Sequence, residues 1–391
     1  MKYTNSDIIN SLFPAAETIG FDEGFAASFR EVGEPDCFPA RVAAVHRGSY
    51  RVLLPGEVAG GGPGLVEREA HASGRLLHLA GSPAELPAVG DWAAARLDAS
   101  AGSSGTGEAA VTLLALLPRR SAFARKEAGL RPKAQVLAAN VDTAFIVGAA
   151  GRDWNPRRIE RFLALAWEAG VNPVIVITKA DIAPDPASLV AEAETLSFGT
   201  TVALVCAPEG RGLDALEGFL RPGRTVVLLG SSGAGKSTLL NALAGVEVAS
   251  TGPVRVDDER GRHTTTHREL FALPSGALVI DTPGLREVQL WASEEAVDAA
   301  YEEVEALAAQ CRFRDCAHGE EPGCAVRAAL ETGELDPGRY AGWRKLRREV
   351  AFLERKDDVN LARAQADRWR AINKSMRGYS KERRSIQGSS R

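Results

Sequence analysis

Long apolar runs are missing from this chain. No stretch approaches the roughly 18–20 residues needed to cross a bilayer, and residues 1–20 lack the charged start and apolar core of a secretory signal. Both absences point to a cytoplasmic protein with no membrane partner. Cysteine is scarce too. The five present, Cys37, Cys206, Cys311, Cys316 and Cys324, are too few for a disulfide framework in a chain of 391 residues. Three of them fall between positions 311 and 324, a clustering that points to a metal. No internal repeat is present, and neither sign of charge dominates: a formal net charge of −4 neither favours nor excludes a nucleic-acid partner. That balance hides an asymmetry. Residues 344–391 carry 15 Lys/Arg against 6 Asp/Glu, so the rest of the chain is correspondingly acidic. The basic tail suits an anionic partner or a solvated helix face.

A chain of this length exceeds one usual domain, and 45% apolar residues can fill more than one core. Residues 1–37 mix acidic and apolar residues with little pattern. Across 38–117, β-like runs at 40–45, 50–54, 74–79, 91–97 and 111–116 alternate with Gly, Ser and Pro breaks, as in a small antiparallel barrel. Segments 59–64 and 99–107 are Gly/Ser-rich and read as flexible loop tips. Residues 118–138 read as a basic connector carrying Arg119, Arg120, Arg125, Lys126, Arg131 and Lys133. The pattern then changes. Strands at 143–147, 174–177, 202–205, 226–229 and 278–280 alternate with helices such as 157–169 and 237–243, which predicts a mostly parallel sheet covered by helices. Beyond 291 strand patterns stop. A helical stretch at 294–309 leads to a Cys/His segment and a charged helical tail. The divisions are therefore 1–37, 38–117, 118–290, 291–345 and 346–391.

The strand at 226–229 runs into Gly230-Ser231-Ser232-Gly233-Ala234-Gly235-Lys236-Ser237, followed by Thr238 and a helix. This is G-x-x-x-x-G-K-S between strand and helix, a phosphate-binding loop. Its glycines let successive N–H groups point at phosphate oxygens, and the helix adds its positive end. Lys236 should bridge the β- and γ-phosphates, and the Ser237 hydroxyl should ligate Mg²⁺. Asp281-Thr282-Pro283-Gly284 follows its own strand, where Asp281 can hold Mg²⁺ through water and the Gly284 N–H can sense the γ-phosphate. Between them, Gly261-Arg262-His263-Thr264-Thr265-Thr266-His267 has the composition of a switch segment. Thr265 is taken as the threonine that completes the metal shell, although Thr264 and Thr266 are equally placed by sequence.

The loop alone does not name the base. The strand at 174–177 ends in Thr178-Lys179-Ala180-Asp181. A carboxylate there can accept from both the ring N–H and the exocyclic amine of guanine, a pair adenine does not offer, so Asp181 selects GTP. The Lys179 stem can lie over the base. The segment matches the N-K-x-D element of GTPases with Thr178 in place of Asn, a change that should weaken binding. Val205-Cys206-Ala207 would close over the base. The order is unusual: base recognition precedes the phosphate loop by about fifty residues. The same sheet elements are present, but the chain begins elsewhere, as in a circular permutation. Further on, Cys311, Cys316, His318 and Cys324 have the spacing C-x4-C-x-H-x5-C. Three thiolates and one imidazole make a closed structural zinc set.

Together these elements resemble the ribosome small subunit-dependent GTPase A family, circularly permuted GTPases of small-subunit maturation, over roughly residues 38–345. Leu117-Pro118-Arg119-Arg120-Ser121 is similar to the family's connector into the GTPase domain. The resemblance implies an N-terminal OB-fold β-barrel, a circularly permuted P-loop α/β GTPase domain and a C-terminal helical zinc-binding domain. It also implies docking on the small (30S) ribosomal subunit and GTP hydrolysis to GDP stimulated by that subunit. Departures are Thr178, Cys206 where Ser is usual, and Gly-rich insertions in the barrel. Many GTPases orient the attacking water with a glutamine just after D-x-x-G. Leu285 occupies that position here, so slow intrinsic hydrolysis is expected, with His263 as a candidate to position the water. Contact with rRNA would come from the barrel, from Arg312 and Arg314, and from a tail containing Arg344, Lys345, Arg347, Arg348, Trp369 and Arg370. One complete site per chain suits a monomer. The competing reading is a P-loop ATPase or kinase with a structural zinc module.

Overall fold

The computed structural model describes residues 14–46, 48–58, 62–97, 110–126, 134–196, 199–248, 268–281, 297–298, 300–319, 321–348 and 350–351. Helix α1 (Glu23–Val32) lies in the stretch whose sequence shows little pattern. Asp22 caps it by accepting from the N–H groups of Gly24 and Phe25 at 3.0 and 3.1 Å, and Gly33 ends it with φ +65°. Phe25 and Phe29 recur at helical spacing; Phe25 and Phe21 lie against Trp92, the latter with ring centroids 4.8 Å apart, and Phe29 meets Phe21 edge-on. Each buried phenylalanine contributes about 1.5–3 kcal/mol of transfer free energy.

A barrel follows, built from β1 (Phe38–Val45), β2 (Tyr50–Val58), β3 (Gly62–Ala72), β4 (Trp92–Leu97) and β5 (Val111–Leu116). Its order is β1-β2-β3-β5-β4, and pairing of β1 with β4 from Phe38↔Ala95 to Arg41↔Trp92 closes it. Ala40, Ala70, Ala93 and Ala95 alternate in the interior with Val42, Val52, Leu54 and Leu113, which keeps the barrel narrow. Three expectations change here. β3 and β5 pair in parallel, so the barrel is not wholly antiparallel. Residues 62–64 belong to β3, in a long hairpin with β2, where Gly-rich composition suggested a loop tip. The run at 74–79 is helix α2 (Gly74–Leu79), because the Ser73 hydroxyl caps it by accepting from the Leu76 N–H at 3.1 Å.

The connector is not simply a linker: β6 (Ala122–Lys126) and β7 (Ala134–Ala139) form an antiparallel pair. Next come β8 (Thr143–Ala149), α3 (Pro156–Glu168), β9 (Asn172–Thr178), α4 (Pro186–Leu196), β10 (Thr201–Leu204), β11 (Thr225–Leu229), α5 (Lys236–Ala244), β12 (Glu269–Ala272) and β13 (Leu278–Asp281). Strands β10-β9-β8-β11-β13 are parallel, with β12 antiparallel beside β13. Their near-continuous apolar runs follow from burial on both faces. β12 also meets the barrel strand β1 at Ala44↔Glu269, so one sheet runs through both units. The parallel strands begin beside a buried cation. Arg41 is 1% exposed and donates to the carbonyls of Ile19, Gly90 and Asn140 and to Thr225 Oγ1, the last at 2.7 Å. Burial pulls its pKa down to about 10, against the opposing pull of Asp142 and Asp91.

No described residue after Asp281 is in a strand. Helices α6 (Glu302–Ala308) and α7 (Ala325–Thr332) and a helical stretch over 337–348 pack Val304, Val326, Leu335, Trp343 and Leu346 into a separate cluster. Helix α3 is buried on two sides. Ile159, Phe162, Leu163 and Ala166 join the cluster against the sheet, while Ala164 joins the C-terminal cluster. Among the described residues, no helix is long and apolar enough to cross a membrane.

Candidate functional site

The crevice beyond the carboxyl ends of a parallel sheet is where such folds bind ligands, and the segments 178–181 and 230–238 and Asp281 lie at that end of this sheet. Gly230 leaves β11 with φ +152°, and a Cβ at that position would stand 2.4 Å from the Val147 carbonyl oxygen, so no other residue fits. The loop closes on Lys236, which is buried and donates from Nζ to the carbonyls of Gly230 and Ser231 at 2.8 and 2.7 Å. Gly235 at the start of α5 has no side chain to cap the helix, so its positive end faces the loop. Ser237 and Thr238 lie in the first turn of α5, while Ser232 and Gly233 are exposed at the loop tip. Asp281, half-buried, ends β13 next to β11 in register with Leu228.

The segment Thr178–Asp181, expected to read the base, is bonded to this loop. The Thr178 hydroxyl, buried at the end of β9, donates to the Ala234 carbonyl of the phosphate loop at 2.6 Å. The sequence shows Thr178 as a departure; it does not show this bond, which joins residues 56 positions apart. Lys179 then takes φ +57°, turning the chain so that Ala180 donates to the Val205 carbonyl at 3.2 Å. Asp181 is exposed at the mouth of the crevice, and the buried Cys206 thiol donates to its Oδ1 at 3.4 Å. Val205 and Cys206 thus sit beside Asp181. His263, Thr264, Thr265, Thr266, Gly284 and Leu285 lie outside the described residues.

A second cluster lies in the C-terminal unit. The ligand atoms of Cys311, Cys316, His318 and Cys324 all lie within 4.8 Å of one another. Cys311 Sγ and Cys324 Sγ are each 3.6 Å from His318 Nδ1 and 3.9 Å apart. A tetrahedral zinc with three thiolates and one imidazole requires ligand spacings of about 3.5–3.8 Å, so the set fits that ion. Burial holds the His318 imidazole below its ordinary pKa, which favours the neutral ring a metal needs. At Cys311 burial opposes ionisation, but the N–H groups of Val326 and Ala325 and the neighbouring thiols outweigh it and lower the pKa. Cys324 caps α7 and accepts from the Arg327 N–H at 3.4 Å. The Tyr340 hydroxyl donates to the His318 carbonyl at 3.2 Å, which ties the cluster to the last helix.

The basic residues nearby divide. Arg312, Arg314 and Arg344 are exposed. Arg347, one of the cations expected to reach rRNA, is instead held by Asp298 and Glu305 at 3.1 and 3.0 Å and lies over Trp343. Trp369 and Arg370 lie outside the described residues. The structure also reveals a junction that the sequence does not. Tyr301 donates to Glu160 Oε2 at 2.7 Å, and Arg339 meets Glu160 Oε1 at 2.8 Å and donates to the Leu196 carbonyl at 2.9 Å.

Known proteins are similar to this chain. A profile of the RsgA GTPase family matches residues 116–291. The small ribosomal subunit biogenesis GTPase RsgA of Opitutus terrae is 49% identical over 363 residues, which cover 92% of this chain and 96% of that protein. The crystal structure of YjeQ from Thermotoga maritima superposes with a TM-score of 0.56 at 24% identity, covering 81% of this chain and 99% of that one. The structure of YloQ, described as a circularly permuted GTPase, does so with a TM-score of 0.56 at 26% identity, covering 81% of this chain and 95% of that one.

Proposed function

The chain belongs to the RsgA family of small ribosomal subunit biogenesis GTPases, and from that premise we propose that it binds GTP in the crevice described, docks on the small ribosomal subunit late in its maturation, and hydrolyses GTP to GDP and phosphate faster when docked. The observation that carries this reading is the hydrogen bond from Thr178 to Ala234, which joins a guanine-reading segment to a phosphate loop.

The residues divide the work. Backbone N–H groups from Gly230 to Ser237 receive the phosphates, Lys236 supplies charge between the β- and γ-phosphates, and Asp181 accepts from the guanine edge while Lys179 covers its face. Ser237 and Asp281 would hold Mg²⁺, with Thr265 as the proposed third protein group; an ion held there would neutralise phosphate charge. Hydrolysis then needs a positioned water more than covalent chemistry. With Leu285 unable to orient that water, His263 is proposed to do so when the subunit is bound. Cys311, Cys316, His318 and Cys324 would hold one structural zinc, which contributes folding energy to a unit with a small core. Arg312, Arg314 and the basic tail would meet rRNA phosphates, so subunit binding should weaken with salt. The protein would act as a cytoplasmic monomer.

Turnover of the purified full-length chain provides the test. Phosphate release from GTP should rise when purified small subunits are added, and excess ATP should not compete. A preference for ATP, or identical turnover with and without subunits, would overturn the proposal.

A further inference from the structure

Glu269 stands at a crossing. Its backbone pairs on one side with Ala44 of the barrel strand β1 and on the other with Asp281, the residue assigned to Mg²⁺ above. It follows the proposed switch threonines Thr264–Thr266 by only a few positions. Its carboxylate meets Arg51 NH2 of the barrel strand β2 at 2.9 Å. The Nε of the same Arg51 lies 3.0 Å from Glu67 Oε1 on β3, an ion-pair contact rather than an aligned hydrogen bond. From β1 to β13 is two strand spacings, about 10 Å. Glu269 thus links the barrel edge and Asp281 directly.

We propose that Glu269, held by Arg51, is a positioning residue that couples the barrel to the metal-holding end of β13, so that a partner seated on the barrel changes the rate of GTP hydrolysis. This rests on the reading of the chain as a subunit-stimulated GTPase. The strength of the joint supports a switching role. Among the described residues β12 and β1 share one ladder pair, Ala44↔Glu269, and the ion pair beside it is about one-third exposed on each side. Such a pair contributes little to global stability, and at its upper end it reaches the lower limit of allosteric coupling between two sites. Linkage makes the effect reciprocal: GTP and GDP should leave the barrel edge in different states.

The test uses the full-length chain with two readouts. One is the ratio of GTP turnover with and without small subunits. The other is hydrogen exchange of residues 38–58 with Mg²⁺ and either GDP or a non-hydrolysable GTP analogue. In the unaltered protein exchange should differ between the two nucleotides. Arg51→Glu should lower the turnover ratio about two- to fivefold, the size of a partly exposed ion pair, and remove the exchange difference, with basal turnover unchanged. Adding Glu269→Arg should restore both, whereas Glu67→Gln, which breaks only the contact within the barrel, should alter neither. If Arg51→Glu behaves as the unaltered protein, or the charge swap fails to restore coupling, the proposal is overturned. A chain that does not bind GTP at all overturns the underlying functional reading instead, and the coupling with it.

Discussion

Thr178 and Arg41 show how much a single side chain depends on its surroundings. Read in sequence, Thr178 is a threonine where the guanine-recognition element has asparagine, and so a deficit. In the fold its hydroxyl is enclosed and donates to the Ala234 carbonyl at 2.6 Å. Thr178→Val keeps the shape and leaves that carbonyl without its donor, a loss of about 1–3 kcal/mol. The dissociation constants for both GTP and GDP should accordingly rise about tenfold in fluorescence titration, because the bond joins the segment proposed to read the base to the loop proposed to hold the phosphates. An unchanged affinity would show that the bond is not used. Arg41 falls in a run that alternates as a barrel strand, where an outward arginine should meet water. The face it occupies is covered by the start of β11 and by residues near Ile19, so the cation is buried among carbonyls. Local pattern could not reveal this, because the covering segments come from distant parts of the chain.

Elements were legible where periodicity was strong. The parallel strands and α3 lie within a few residues of their expected positions, because unbroken runs of Val, Ile and Leu bounded by turns have few other solutions. The hairpin strand β3, Gly-Pro-Gly-Leu-Val-Glu-Arg-Glu-Ala-His-Ala, was not legible: its glycines resemble a loop, and its pairing with β2 is decided by the partner strand. Helix α2 was misread because Leu76, Leu77 and Leu79 fit a short strand as well as a helix, and only the Ser73 cap separates the two. The Cys/His segment is the opposite case, since spacing alone brings its four side chains together. One zinc per chain should be measurable by atomic absorption of the purified protein. Cys324→Ser, or a chelator, should release it and unfold α7, with loss of helical circular dichroism. Acidification should release it too, because protons compete with the metal for thiolate and imidazole. Retained helicity after complete metal removal would argue against a folding role.

At the scale of the whole molecule, α3 holds the C-terminal unit against the GTPase sheet. Glu160 on its outer side is buried between Tyr301 and Arg339, and Arg339 is itself mostly buried. Removing one partner strands the other charge, at a cost of about 3–5 kcal/mol. Arg339→Ala should therefore either lower the calorimetric melting temperature of the whole chain or split off a separate C-terminal transition. A melt identical to that of the unaltered protein would deny the junction any role in stability. By itself the sequence determined the candidate groups and their order: a phosphate-loop motif, an aspartate proposed to read the base ahead of it, and four side chains at metal-ligand spacing. Each of these is a short motif whose function follows from residue types held at fixed local spacing. Only the tertiary structure decided how the units are joined, through Arg41 beneath β11, Thr178 on the phosphate loop, Glu160 beside Arg339, and Glu269 between the barrel and Asp281. Those contacts link residues tens to hundreds of positions apart, and nothing in a local pattern specifies which distant partner a side chain will meet.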